Sequence, residues 1–305
     1  MLVDKFNRRV DLIQIEASGA CEYGCSHCAW ASRKSGEDLF PTERLLRFVG
    51  VMALLGLRRA RLIGGEPLLR PDIIDLVEGL GAIPSMATSL STNGRHLLRF
   101  AEKLSGAGLQ RVFVTFPTLN RSVFKSITGS DDFDIVLEGL ETVAQSHKIP
   151  ATLKMTVLPG VNDNEIEDVV DWSLSRGMDI YLVEGIAPGR SGGITDADIL
   201  ERLARRYKMT RMEGVAVNNN PWMVEGYNAT VKIVTAASRR DCDTCNRLWL
   251  SAGGRLSLCS RFSSSLDLDA LFDENASDAD LIDFASKIAL NRPRGMRCEA
   301  FPAAP

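Results

Sequence analysis

Short apolar strand patterns alternate with helix patterns through the first two thirds of this 305-residue chain. Residues 12–17 and 59–65 are typical of buried strands, and residues 41–56, 72–81 and 164–177 have helical spacing. Roughly six strand–helix units in a row predict a parallel sheet, because parallel neighbours need a crossover connection, usually a helix. The functional loops of such a sheet follow the carboxyl ends of its strands.

The alternation of strands and helices stops near residue 212. The sequence after that point is irregular and holds four of the seven cysteines. We therefore predict an α/β core over residues 1–212 and a small C-terminal domain over residues 213–305.

The composition is ordinary for a globular protein, with 45% hydrophobic and 25% charged residues and a net charge of −3. Because there is no basic surplus, we expect neither nucleic acid nor an anionic membrane as a partner. The first residues lack the apolar segment of a secretion signal, and no apolar run is long enough to span a bilayer. We expect a cytoplasmic protein.

Three cysteines lie close together directly after the first predicted strand. Cys21, Cys25 and Cys28 have the spacing C-x3-C-x2-C. Thiolates bind soft metals and iron–sulfur clusters, and three of them leave one iron of a four-iron cluster open for another ligand. A structural zinc site needs four ligands, and His27 is too close to Cys28 in sequence to complete one without strain. The triplet favours a [4Fe–4S] cluster.

A second group of cysteines follows in the C-terminal part. Cys242, Cys245 and Cys259 have the spacing C-x2-C-x13-C. Zinc is a real alternative here, because C-x2-C is also the spacing of zinc knuckles and Cys298 is available as a fourth ligand. Cys298 is otherwise a catalytic donor or a bystander, since free cysteine commonly packs as a small apolar residue.

Two motifs together resemble the radical S-adenosylmethionine (radical SAM) superfamily. The first cysteine triplet is similar to its cluster motif, and Gly64, Gly65, Glu66 and Pro67 are similar to its GGEP motif. Paired glycines let the backbone approach a ligand closely, and a glutamate accepts hydrogen bonds from an ammonium group. The resemblance implies a partial (β/α)6 barrel in which SAM binds the open iron. It also implies an electron donor such as flavodoxin or ferredoxin, and a 5′-deoxyadenosyl radical that takes hydrogen from a substrate.

Further SAM contacts are implied by the same resemblance. The superfamily has an aromatic residue near the adenine before the last cysteine, and here that position is His27. It also has polar contacts to SAM at strand ends, which correspond to Thr92, Asn93 and Thr115. Short clusters of this type are also common in ordinary turns.

Almost the whole chain is similar to one branch, the GTP 3′,8-cyclase family of molybdenum cofactor biosynthesis. The similar segments include residues 124–129, 158–166, 183–189 and 245–256, in the family's order. That family carries a second [4Fe–4S] cluster on C-x2-C-x13-C, and its open iron binds the purine substrate. The resemblance therefore implies two [4Fe–4S] clusters and a small-molecule substrate. The implied substrate-binding residues are Lys154, Glu184, Arg247 and Trp249.

Several arginines of that family are replaced in this chain. Gln14, Tyr181 and Trp249 stand at three such positions, and the sequence ends in CEAFPAAP where the family has a Gly-Gly tail. Each lost charge-assisted hydrogen bond removes roughly 1.5–3 kcal/mol of binding free energy. We therefore predict a divergent radical SAM enzyme whose substrate is a less anionic small molecule, such as a nucleoside or another biosynthetic intermediate. Trp249 would then form a stacking or apolar wall.

Three alternatives stay open at this point. The first is a true GTP 3′,8-cyclase with an altered phosphate clamp, in which other basic residues such as Arg190 or Arg255 compensate. The second is a peptide-modifying radical SAM enzyme, since several of those use C-terminal clusters. The third is a non-catalytic zinc-binding protein.

Overall fold

The computed structural model describes residues 2–28, 38–185, 194–212, 221–235, 244–258, 265–273 and 276–292. Within these ranges the strands are β1 (Leu12–Ser18), β2 (Arg59–Gly64), β3 (Ala87–Thr92), β4 (Arg111–Thr115), β5 (Ala151–Val157), β6 (Asp179–Glu184), β7 (Met209–Arg211), β8 (Trp222–Val224), β9 (Thr230–Val234), β10 (Arg247–Leu250), β11 (Arg255–Ser257) and β12 (Ser265–Asp267). The helices are α1 (Thr42–Leu54), α2 (Ile73–Ala82), α3 (Leu97–Gly106), α4 (Arg121–Thr128), α5 (Phe133–Ser146), α6 (Ile166–Leu174), α7 (Asp196–Ala204), α8 (Leu268–Asp273) and α9 (Asp278–Leu290).

All the strands belong to one sheet in the order β12-β11-β10-β1-β2-β3-β4-β5-β6-β9-β8-β7. Strands β1 to β6 are parallel neighbours in chain order, as the repeated strand–helix units predict. Strand β9 adds a further parallel strand beside β6, and β10 adds one beside β1. The sheet does not close on itself, so the architecture is a partial barrel.

The C-terminal part of the chain thus flanks the sheet at both edges. Strands β7 and β8 continue antiparallel from β9, while β11 and β12 continue antiparallel from β10. The division into domains at residue 212 stays a prediction.

The two faces of the sheet differ because side chains alternate along each strand. On β1, Ile13 and Ile15 are fully buried and belong to the main apolar core, together with helix residues such as Phe48 and Met52. The alternate residues of the same strand include Gln14, on the opposite face. Most alternate positions of β2 to β6 are also polar, so one face of the sheet is available for a polar site.

Among the helices that the structure describes, none combines the length and the apolar character needed to cross a bilayer.

Candidate functional site

The first cysteine triplet lies on the loop that follows β1. Cys21 is exposed, while Cys25 and Cys28 are partly buried. Burial, together with the neighbouring Cys28 and Cys21 thiols, raises the pKa of Cys25 to about 12. Three thiolates so close together need a cationic partner, because each negative charge opposes ionisation of the next. Iron ions supply that charge when a cluster binds.

The loop is attached to the end of α4 by its own backbone. Gly24 N–H donates to the Thr128 carbonyl oxygen at 3.1 Å, and Ser26 N–H donates to the Ile127 carbonyl oxygen at 2.9 Å. Within the loop, Cys28 N–H donates to the Cys25 carbonyl oxygen at 3.0 Å and closes a turn. These contacts fix the loop to the scaffold next to the sheet.

A two-glycine turn after β2 lies against the backbone that leads into the triplet. Gly65 N–H donates to the Ser18 carbonyl oxygen at 2.9 Å, and Gly64 has a φ of +136°, which favours glycine. A Cβ atom at either glycine would lie 2.2 Å from a carbonyl oxygen, that of Ser18 for Gly64 and that of Ala20 for Gly65. The close approach therefore requires glycine at both positions.

Glu66 follows the two glycines and is completely buried. Its carboxylate accepts hydrogen bonds from Leu68 N–H at 2.9 Å, Thr92 Oγ1 at 2.8 Å and Asn93 N–H at 2.8 Å. Burial raises the pKa of Glu66 to about 7, against the lowering effect of those donors. The side chain thus joins the turn after β2 to the end of β3, and Asn93 Nδ2 lies 3.9 Å from Cys21 Sγ.

A cavity of about 410 Å³ lies on the polar face, toward the start of the strands. Four basic side chains line it, one or two from each contributing strand: Arg59, Arg61, Arg111 and Lys232. Because the strands are in register, alternate residues of neighbouring strands meet on this face. Arg61 on β2 is the register partner of Gln14 on β1 and of Ser89 on β3.

The positive charges of this cavity exceed its negative charges, although Arg59 pairs with Asp11 at 2.7 Å. Its lining contains one carboxylate, that of Asp179, which already binds Arg111 at 2.8 Å and the Thr230 hydroxyl at 2.8 Å. In the part of the chain that the structure describes, no carboxylate pairs with Arg61 or Lys232. Burial, together with the neighbouring cations, lowers the pKa of Arg61 to about 10 and that of Lys232 to about 8. An anion bound here would relieve that repulsion.

Two aromatic rings connect two of these cations. The Arg61 guanidinium lies 4.2 Å from the ring centroid of Phe113, whose ring centroid is 5.5 Å from that of Tyr181. The Lys232 ammonium in turn lies 4.8 Å from the Tyr181 ring centroid. Aromatic faces attract cations without neutralising their charge, so both cations keep their capacity to bind an anion.

Comparison with known families settles the class of the chain. The model of the radical SAM superfamily matches residues 15–173, just over half of the sequence. The chain belongs to the radical SAM superfamily. A second model, Molybdenum Cofactor Synthesis C, matches residues 183–298. The prediction of a radical SAM enzyme is confirmed, and the alternative of a non-catalytic zinc-binding protein is set aside.

Curated relatives are similar over most of their length. The GTP 3′,8-cyclase of Streptomyces coelicolor is 30% identical over 298 residues, covering 92% of this chain and 86% of the relative. That of Saccharophagus degradans is 31% identical over 284 residues, covering 88% of this chain and 85% of the relative. The recognised resemblance to the cyclase family is confirmed.

Solved structures support the partial barrel. SuiB of Streptococcus suis bound to S-adenosylmethionine aligns with a TM-score of 0.65 at 13% identity, covering 91% of this chain and 68% of that one. The enzyme anSMEcpe with bound AdoMet aligns with a TM-score of 0.60 at 14% identity, covering 94% of this chain and 78% of that one. At these identities the likeness shows the fold alone, and it confirms the predicted α/β class.

Membership of the radical SAM superfamily implies one [4Fe–4S] cluster and SAM, and the residues present fit both. The thiols of Cys21, Cys25 and Cys28 lie on one loop. The backbone turn that contacts this loop needs glycine at positions 64 and 65. Among the described residues, no three His, Cys, Asp or Glu side chains converge around a single metal ion. A four-iron cluster does not require that convergence, because each thiolate binds its own iron.

The predicted SAM contacts lie at the carboxyl ends of the strands, as the cysteine loop does. Their roles stay predictions. Thr92 and Asn93 meet Glu66, and Thr115 is at the end of β4. The Nδ1 atom of His27 is buried without a partner among the described residues, and burial, with the Lys154 charge, lowers its pKa. The imidazole is therefore neutral at pH 7. Pro67 begins the turn Pro67–Leu69.

None of the four predicted substrate residues lines the cavity, but three of them lie on the same polar face of the sheet. Lys154 is the register partner of Tyr181, and Arg247 and Trp249 are the partners of Leu12 and Gln14 on β1. These positions share the polar face. Glu184 is an odd number of residues from Tyr181, so strand alternation puts it on the opposite face. All four roles stay predictions.

Sequence reasoning missed Arg59, Arg61, Arg111 and Lys232. A signal was present on β2, where two arginines alternate with the buried residues Ala60 and Leu62. Of the basic residues considered as compensation, Arg190 lies outside the described residues. Arg255 is on β11 and pairs with Asp267 at 3.8 Å, away from the cavity.

Cys245 lies at the other end of the strands from Cys21. It lies two residues before β10, which runs parallel to β1, so it is at the end where β1 begins. The almost fully buried Arg292 donates to its carbonyl oxygen at 2.8 Å. Three other predicted ligand candidates, Cys242, Cys259 and Cys298, lie outside the described residues, so the second cluster stays a prediction.

Proposed function

We propose that this radical SAM enzyme acts on a phosphate-bearing nucleotide held in the cationic cavity, and that the GTP 3′,8-cyclase reaction is the first to test. One observation carries the proposal. Four basic side chains line the cavity; Arg111 and Arg59 pair with Asp179 and Asp11, and no described carboxylate pairs with Arg61 or Lys232. A phosphate chain is the common biological ligand that needs several cations at once.

The cavity favours a more anionic substrate than the sequence-based expectation of a nucleoside. That expectation counted the arginines missing at Gln14, Tyr181 and Trp249. It did not include Arg61 on β2 and Lys232 on β9, whose positive charges line the cavity. The similarity to GTP 3′,8-cyclases over most of the chain supports a guanine nucleotide as the first candidate.

The two ends of the parallel strands would have different roles in the reaction. Cys21, Cys25 and Cys28 would hold the cluster, which with bound SAM would supply a 5′-deoxyadenosyl radical near the cysteine loop. The cationic cavity would hold the phosphates toward the start of the strands, so that the sugar faces the loop. Cys245 lies at the cavity's end of the sheet, which supports the proposal that a second [4Fe–4S] cluster contacts the substrate.

The test measures SAM cleavage in anaerobically reconstituted, chemically reduced protein. GTP, GDP and guanosine are added in parallel, and 5′-deoxyadenosine and cyclised products are quantified. We expect 5′-deoxyadenosine formation to increase most with GTP, less with GDP and least with guanosine. Equal stimulation by guanosine, or no binding of GTP at millimolar concentration, would refute the proposed anionic substrate.

The second cluster has its own test, which is iron counting. Wild-type protein should hold about eight irons, and a variant with Cys242, Cys245 and Cys259 all changed to Ala should hold about four. About four irons and one zinc in the wild type would make the C-terminal cysteines a structural zinc site instead.

A further inference from the structure

Lys232 is the most unusual charged residue of the cavity. It is partly buried on β9, and its neighbour on β6 in the sheet register is Tyr181. Its ammonium lies 4.8 Å from the centroid of the Tyr181 ring. Tyr181 is itself held by Phe113, whose ring centroid is 5.5 Å away. The lysine therefore has a fixed aromatic platform.

The charges that face Lys232 from other strands are mostly positive. Arg59 and Arg61 are on β2, Arg111 is on β4 and Arg247 is on β10. The charges of Arg61, Arg247 and Arg59 act directly on Lys232. Lys154 on β5 is a further basic residue of this face, the register neighbour of Tyr181.

The opposing carboxylate does not neutralise Lys232. Asp179 also lines the cavity from β6, but its oxygens accept from Arg111 and from both the backbone N–H and the hydroxyl of Thr230. The neighbouring strand β8 brings Trp222 and Met223 to β9, and neither is charged. An ammonium placed among cations with no acid of its own is costly unless an anion binds it.

We propose that Lys232 is a specificity-determining residue of the cavity: its ammonium, placed by the ring of Tyr181, binds a phosphate group of the substrate and makes the affinity for that group depend on its protonation. This inference rests on the proposed function, because it assumes that the cavity holds a phosphate-bearing substrate.

The direction of the pH dependence follows from the charge state. Burial and the nearby arginines lower the pKa of Lys232 to about 8, so it is charged at pH 7 and mostly neutral at pH 9. Arg61, whose pKa burial lowers only to about 10, stays mostly charged over that range. Affinity for phosphate should therefore fall as pH rises through 8, and binding near pH 8 should take up a proton, since a bound anion favours the ammonium.

The experiment is calorimetric titration of the full chain, reconstituted anaerobically with iron and sulfide, with inorganic tripolyphosphate and with GTP. Wild type should lose about tenfold in affinity between pH 7 and pH 9, because about a tenth of a group with a pKa near 8 is charged at pH 9. Lys232→Met should show that loss already at pH 7 and no further change. Lys232→Arg should bind equally at both values and take up no proton at pH 8.

The outcomes separate the two proposals. If wild type holds iron but binds neither tripolyphosphate nor GTP at any pH, the proposed function fails, and this inference fails with it. If wild type binds but Lys232→Met binds equally well at pH 7, or the wild-type pH profile equals that of Lys232→Arg, only the role of Lys232 is refuted. Tyr181→Leu keeps the charge and removes the platform, so it should weaken binding by less than Lys232→Met does. Iron content of each variant shows that it folds.

Discussion

The two ends of the parallel strands are built in different ways. At the carboxyl ends, the cysteine loop and the two-glycine turn are joined by backbone hydrogen bonds, such as Gly65 N–H to the Ser18 carbonyl oxygen. Near the start of the strands, the cavity is formed by side chains, with Arg61, Arg111 and Lys232 coming from three different strands. The structure at the carboxyl ends depends on main-chain geometry. The cavity near the start of the strands depends on the side chains at alternate positions of neighbouring strands.

This difference separates the shared chemistry from the choice of substrate. Backbone contacts tolerate most changes of neighbouring side chains, so a cluster-binding end can stay the same while the cavity changes. A side-chain cavity changes its ligand with single substitutions, because each strand contributes only one or two groups. Mutations at the two ends should therefore have different consequences, and four predictions test this.

The largest effect is expected from Gly65→Ala. Its new Cβ atom would lie 2.2 Å from the Ala20 carbonyl oxygen, which is backbone and has no flexible end to move away. We expect loss of the first cluster and of SAM cleavage, with a destabilisation of at least 1–3 kcal/mol. Iron counting and the production of 5′-deoxyadenosine measure the effect.

Gly24→Ala is the matched control for that prediction. Gly24 is in the cysteine loop itself, but no atom lies within 4 Å of the Cβ position it would gain. It should keep wild-type iron and activity. Equal iron content in the two alanine variants would show that the close approach at Gly65 has no role in holding the loop.

Arg61→Gln, near the start of the strands, should lower substrate affinity without loss of iron, in contrast to Gly65→Ala. The variant removes a cavity charge that no described carboxylate neutralises, and a charge-assisted bond is worth roughly 1.5–3 kcal/mol. We expect affinity for GTP to fall by about 10- to 100-fold while the iron content stays the same. Calorimetric titration measures the affinity.

Arg255→Gln makes the same change of charge outside the cavity. Arg255 pairs with Asp267 on the neighbouring edge strand and is exposed. It should leave the affinity for GTP unchanged. A similar loss in both variants would mean that net charge, rather than the cavity, attracts the nucleotide.

The same contrast explains what could be predicted from the sequence. The parallel strands, the cysteine triplet and the Gly64–Gly65 turn follow from short consecutive patterns, and the fold and the superfamily were predicted correctly from them. The contact between Glu66 and the end of β3 was not predicted, because Thr92 and Asn93 are far from it in sequence.

The cavity could not be predicted for a further reason. Its charged residues are spread from Arg59 to Lys232, and strand register alone decides that they meet. The family resemblance marked only the positions of Gln14, Tyr181 and Trp249, where arginines of the family are replaced. Basic residues at other positions of the same face, such as Arg111, had no motif to mark them.

Glu66 gives a smaller effect that depends on pH. Its pKa is raised by burial from 4.5 to about 7, so the folded state holds a proton that the unfolded state has lost between these values. The metal-free protein should therefore lose roughly 3 kcal/mol of stability from this group as pH rises from about 4.5 to about 7. Urea unfolding of the reduced protein at pH 5 and pH 8 measures it.

Glu66→Gln supplies the comparison for that pH dependence. The amide does not titrate, so the variant should lack this part of the slope. It has only one acceptor oxygen for three donors, so its absolute stability should be lower at pH 5. If wild type and variant show the same dependence on pH, Glu66 is already ionised in the folded protein and its burial is offset by those donors.

The smallest effect is expected from Trp249→Arg, which returns a charge to the polar face next to Gln14. A new charge-assisted bond to phosphate would be worth more than a factor of ten by itself. Burial and the neighbouring arginines already lower the pKa of Lys232, and the same two effects should offset part of the gain. We expect a gain of only several-fold in affinity for GTP and none for guanosine. A gain for guanosine as well would place Trp249 against the base instead of the phosphates. A loss for both ligands would mean that the tryptophan itself forms a wall that the substrate needs.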